Sequence, residues 1–202
     1  MQPLFKGLVA SLAFAAVSAA AAGFGFRSLL NHEHTPGAKG VSPTKLPPSY
    51  LQAGDGRPAL VMTAHPRCPC TRASLGELAQ IMARLEGQLR AYVLFVTPET
   101  REAAWEDSDV RRSAENIPGV TVLPDVGGVE AHRFGAETSG HTLLFAADGS
   151  LLFSGGITQS RGHAGANAGA SAIVALVSNQ QPGHAATPVF GCSLTTKQPG
   201  TR

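Results

Sequence analysis

From residue 58 onward the chain alternates between apolar runs too short to be helices and longer stretches with apolar residues every three or four positions. That alternation narrows the fold to the α/β class, because period-two and period-3.6 segments bury their faces only by packing in layers. PALVMTA (58–64) reads as a strand, and CPCTRASLGELAQIMARLEG (68–87) as a helix with Leu75, Leu78, Met82 and Leu85 on one stripe. RAYVLFV (90–96) is a second strand, 98–115 a polar helical region containing Trp105, VTVLP (120–124) a third strand and VEAHRFGA (129–136) a short helix. HTLLFAADGSLLFSGGI (141–157) reads as a β-hairpin joined by Asp148-Gly149. NAGASAIVALVSNQ (167–180) closes the pattern as a helix with Asn167 at its N-cap. A hydrophobic content of 43% with 15% charged residues suits one globular domain.

The ends differ from this core. Lys6 is followed by twenty uncharged residues before Arg27, enough to span a bilayer as a helix. The same run has the basic start, apolar stretch and small residues (Ser18-Ala19-Ala20) of a signal peptide. Residues 1–27 are therefore a membrane anchor or a cleaved signal; either exports the rest, with Lys6 on the cytoplasmic side. The expected location is the cell membrane, on its periplasmic or other extracytoplasmic face. Residues 28–57, rich in proline and glycine, read as a flexible linker, with His32 and His34 solvated in it. Residues 58–180 form the domain and 181–202 a loosely packed tail. With 16 Lys and Arg against 14 Asp and Glu, scattered along the chain, there is no electrostatic footprint for nucleic acid.

Chemistry concentrates in HPRCPCTRAS (65–74). Proline is favoured at the first helical position, which makes Cys68 the N-cap and puts Cys70 in the first turn. The unpaired N–H groups there, and a dipole worth about 0.3–1 kcal/mol, favour a thiolate at Cys68, and Arg67 and Arg72 act in the same direction. Cys68 is expected exposed on the helix tip as a nucleophile or metal-binding sulfur. A 68–70 disulfide is strained, since bridged Cα atoms sit about 5.5–6 Å apart and side chains at a helix start diverge. With Cys192 the chain has three cysteines, so 68–70, 68–192 and 70–192 bridges are all open, each leaving one thiol.

The order of elements over 58–180, with the cysteine pair between the first strand and its helix, resembles the thioredoxin-like superfamily, most nearly its RedB-type envelope proteins. Two features depart from that pattern. One residue instead of two separates Cys68 from Cys70, and His141 stands where thioredoxins carry a cis-proline. The segment GHTLLF is similar to the one in Sco-type copper chaperones whose histidine completes a copper site with two cysteines. The resemblance implies a three-layer fold, a central mixed sheet flanked by helices. It also implies thiol–disulfide chemistry through Cys68, with Cys70 or Cys192 resolving. The alternative it implies is a copper-binding assembly factor using Cys68, Cys70 and His141; two thiolates and an imidazole suit Cu(I) ahead of zinc. A third option is a scaffold that keeps the fold without the chemistry. The partner would be a thiol-containing or metal-receiving envelope protein. Such a sheet would gather Cys68, Cys70, His141, Arg161 and His163 on one rim, with SRGHAGANAG (160–169) as a tight loop. His65, His132 and His184 are expected to stand outside the site.

Overall fold

A computed structural model of the protein describes residues 2–49, 51, 56–99 and 108–194. It divides into two compact units, Met1–Thr35 and Pro36–Arg202. The first contains helix α1 (Gln2–His34), whose portion Ser11–His34 is long and apolar enough to cross a membrane by length and composition. The helix runs seven residues past the predicted end at Arg27, because nothing before Pro36 breaks it.

The second unit is built on β1 (Ala59–Ala64), α2 (Pro69–Arg84), β2 (Arg90–Thr97), α3 (Asp109–Glu115), β3 (Val120–Val126), α4 (Val129–Arg133), β4 (His141–Phe145), β5 (Leu151–Gly156) and α5 (Ala168–Val177). Five strands form one sheet in the order β3-β2-β1-β4-β5. The first three run parallel, and β4 opposes both β1 and β5. The central strands β1 and β2 are apolar along nearly their whole length, as strands covered on both faces must be.

One face packs Leu60, Met62, Ala64, Val93, Phe95 and Leu144 against Leu75, Leu78 and Ile81 of α2, Val110 of α3 and Ile173 of α5. The other face carries Val61, Tyr92, Leu94, Leu143 and Phe145 under Phe134 and Leu51. Phe134 and Phe145 meet at 6.0 Å between ring centres with a 54° tilt, an aromatic pair worth about 0.5–1.5 kcal/mol beyond its burial.

Local signals placed several boundaries. The Asn167 side chain accepts from Ala170 N at 2.7 Å as the α5 N-cap, and Ser108 caps α3 through Arg111 N. Of the predicted polar helical region, α3 is helical, while 100–107, Trp105 included, lie outside the described residues. The hairpin turn is longer than the predicted Asp148-Gly149 pair: Gly149 N donates to Ala146 O, and Ala146 N to Ser150 O. Gly149, at φ +82°, absorbs the extra residue, with a register shift at Leu144/Phe145.

Two segments without regular structure are laid along the edge strand β5. Leu46 N donates to Gly149 O, and Leu151 N to Thr44 O. Residues 36–49 thus hold to the sheet as a strap within the stretch read as linker. On the same edge, Ser154 N donates to Ala185 O and Gly156 N to Pro188 O. Between them they occupy N–H groups that an open edge would leave for another chain.

Candidate active site at the carboxyl rim of the sheet

Helix α2 begins with Cys68 as its N-cap and Pro69 next, the arrangement the C-P-C order dictates. Cys68 is 1% exposed, which corrects the expectation of an open helix tip. What covers it is Cys192, whose Sγ lies 2.7 Å from Cys68 Sγ. Cys192 comes from the C-terminal segment, which is not a loose tail here. Ser139 N donates to Cys192 O at 2.8 Å, Leu194 N donates to Glu137 O at 2.9 Å, and Val189 and Leu194 are buried. Gly191 permits this approach: a Cβ there would stand 2.0 Å from Ser139 O.

The surroundings of the sulfurs set their charge. Burial pushes the Cys68 thiol up, but hydrogen bonds from Cys192 and from Thr71 outweigh it, and the net direction is down. Burial, then contact with Cys68, pushes Cys192 up to about 12. Cys70 is also raised, by burial first and then by the charge of Cys68, with Arg161 and Gly162 opposing. One sulfur is thus prepared to be a thiolate beside two that hold their protons.

Sequence reasoning missed the groups that support this arrangement. Thr71 Oγ1 and Ser139 Oγ, both in residues 1% exposed, lie 2.8 Å apart. His65 N donates to Ser139 Oγ at 3.0 Å, and His65 O accepts from Cys68 N. Glu77, 3% exposed on the buried side of α2, accepts from Gly165 N at 2.6 Å and from Asn167 Nδ2 at 3.1 Å. It ties the 160s loop to the helix, and Arg161 Nη1 in that loop donates to Gly191 O.

His141 and His163 are not brought to the sulfurs. The His141 backbone reaches the rim, but side chains alternate across a strand, and its ring falls on the side of Leu143 and Phe145, opposite α2. There Nε2 lies 2.8 Å from Ser154 Oγ, itself 2.7 Å from Ser42 Oγ. Burial, then the charge of Lys39, lowers its pKa to about 4. The turn that enters β4, closed by His141 N to Thr138 O with Gly140 at φ +87°, sets this direction. His163 is exposed, with Nδ1 3.0 Å from its own loop's Arg161 O. The Cys68, Cys70 and His141 copper set is therefore not assembled, and no three His, Cys, Asp or Glu among the described residues stand as a metal site. A cavity of about 1010 Å³ lined by Met82, Leu89, Arg90 and Pro118 lies at the other end of the parallel strands.

Three parallel strands, an antiparallel hairpin and a cysteine pair capping the helix after the first strand complete the topology. The fold is thioredoxin-like. No family model matches the chain, and no curated protein does. Among solved structures it is similar to a hypothetical protein from Sinorhizobium meliloti, at 18% identity and TM-score 0.56 over 79% of this chain and 93% of that one. It is similar also to an uncharacterized conserved protein from Geobacillus kaustophilus, at 15% identity and TM-score 0.57 over 83% and 95%. A secreted Mycobacterium tuberculosis disulfide oxidoreductase homologous to Escherichia coli DsbE aligns over 48% of this chain and 66% of its own, at 23% identity and TM-score 0.39.

Proposed function

We propose that this thioredoxin-like protein carries out thiol–disulfide exchange in the cell envelope, using Cys68 and Cys192 as its redox pair with Cys70 as a neighbouring third thiol. The observation that carries this reading is the 2.7 Å approach of the two sulfurs. One of them is held toward its thiolate by hydrogen bonds from Cys192 and then Thr71, and the other is held protonated by burial. Helix α1 serves as its membrane tether, which places the domain where disulfides persist. Its partner is a thiol-bearing envelope protein, in keeping with the RedB-type likeness. The copper alternative lacks its imidazole, because the His141 ring lies across the sheet.

Peptide mapping after equilibration in glutathione redox buffers tests the reading. A Cys68–Cys192 disulfide that forms and opens reversibly, together with oxidation of a reduced peptide that Cys68→Ser abolishes, is the expected result. A protein whose cysteines never pair across that range, or whose exchange survives Cys68→Ser, defeats it.

A further inference from the structure

Resting on that reading, we propose that the incoming thiolate attacks the bridge at Cys192 and expels Cys68, so that the tail sulfur, and not the helix sulfur, carries the mixed disulfide with substrate. Access is the first reason. Cys68 is 1% exposed, whereas Cys192 is only partly covered, and a thiolate must reach the sulfur it attacks from the side opposite the leaving group. Cys68 is buried at the start of α2, where its N–H donates to His65 O and its carbonyl accepts from Thr71 N, and Cys192 stands against its sulfur. Cys192, held by one segment that crosses the rim, keeps partial exposure to solvent.

The leaving group is the second reason. Exchange is faster when the departing sulfur is the better-stabilised thiolate. The helix start and the Thr71 hydroxyl stabilise charge on Cys68, whereas burial pushes the Cys192 thiol up to about 12. Exposure and leaving-group stability therefore select the same sulfur.

In the first step a substrate thiol gives its proton to solvent, and its sulfur bonds to Cys192 Sγ. The Cys68–Cys192 bond breaks, and its electron pair leaves on Cys68. In the second step another thiolate of the same substrate attacks the first substrate sulfur, and the bond to Cys192 breaks. Cys192 departs with the electron pair and takes up a proton. The substrate dithiol is oxidised by two electrons and the bridge is reduced by two. A second, disulfide-bearing protein restores the bridge by the reverse sequence. The surface that meets the substrate is then the C-terminal segment around Gly191 to Ser193, which lies over the tip of α2.

The test uses the full chain in detergent with Cys70→Ser, which prevents migration of the adduct. The oxidised protein is first mapped for the 68–192 bridge, then mixed briefly with excess glutathione, quenched in acid, labelled with a maleimide and mapped again. Glutathione on Cys192 with label on Cys68, in about tenfold excess over the reverse pattern, is the expected result. Glutathione on Cys68, an even distribution, or a bridge that excess glutathione leaves intact overturns the assignment while leaving the redox pair standing. Absence of the bridge before glutathione is added removes both this inference and the function it rests on.

Discussion

The two sulfurs of the pair are held by two differently built regions. Cys68 sits at the start of α2, backed by Leu75, Leu78 and Ile81, each at most 3% exposed in the core shared with the sheet. Cys192 sits on a segment with no regular structure, secured by backbone hydrogen bonds at Ser139, Glu137 and Gly156 and by two buried side chains, Val189 and Leu194. The first region cannot move its sulfur without disturbing the core; the second can release its sulfur while the domain stays folded. Local opening concentrates where buried apolar contact is sparse, and that is the side of the pair that carries Cys192.

The contrast breaks first at the core. Leu78→Ala, at a fully buried position, should cost about 2–5 kcal/mol and lower the thermal midpoint, taking Cys68 chemistry down with the fold. Retention of wild-type stability would show that α2 is not the anchored partner.

Acid should act on the sheet through His141. His141 has a folded pKa of about 4 against 6.5, so the unfolded chain binds the extra proton between those values. Its contribution is fully present above about pH 6.5 and is lost as pH falls toward 4, amounting to about 3 kcal/mol at the lower limit. Chemical denaturation of wild type and His141→Gln across that range should show a smaller pH slope in the variant. Equal slopes would mean the imidazole is not buried neutral.

Gly191→Ala sharpens the comparison, because the new Cβ collides with Ser139 O. Overpacking of this kind costs about 1–3 kcal/mol. It should fall on tail docking, cutting the rate of 68–192 bridge formation about tenfold or more with little change in the domain's denaturation midpoint. If both fall together, the segment is part of the cooperative core.

The smallest effect is expected at Thr71→Val. Losing one hydroxyl hydrogen bond, about 0.5–1.5 kcal/mol, should move the Cys68 thiol upward in the reduced protein. Alkylation near neutral pH should then slow several-fold, and an unchanged pH profile would remove Thr71 from the site.

Much of the scaffold was legible because its signals are local. Strand length and helical period located β1, α2, β2, β5 and α5, and Pro69 after Cys68 and Asn167 before Ala168 marked two helix starts. The site was less legible. Cys192 was one of three open pairings, since its position depends on glycine-permitted backbone contact with a loop more than fifty residues earlier. His141 was placed on the correct rim, yet the turn through Gly140 and the alternation of β4 decided which way its ring faced.

The chain's pattern alone determined an α/β layer structure with a cysteine pair at the start of its first core helix, because periodicity and capping act within a few residues. Which sulfurs meet and what covers the edge strand were decided only by tertiary structure. Those outcomes depend on backbone hydrogen bonds between segments far apart in sequence, and no local propensity encodes them.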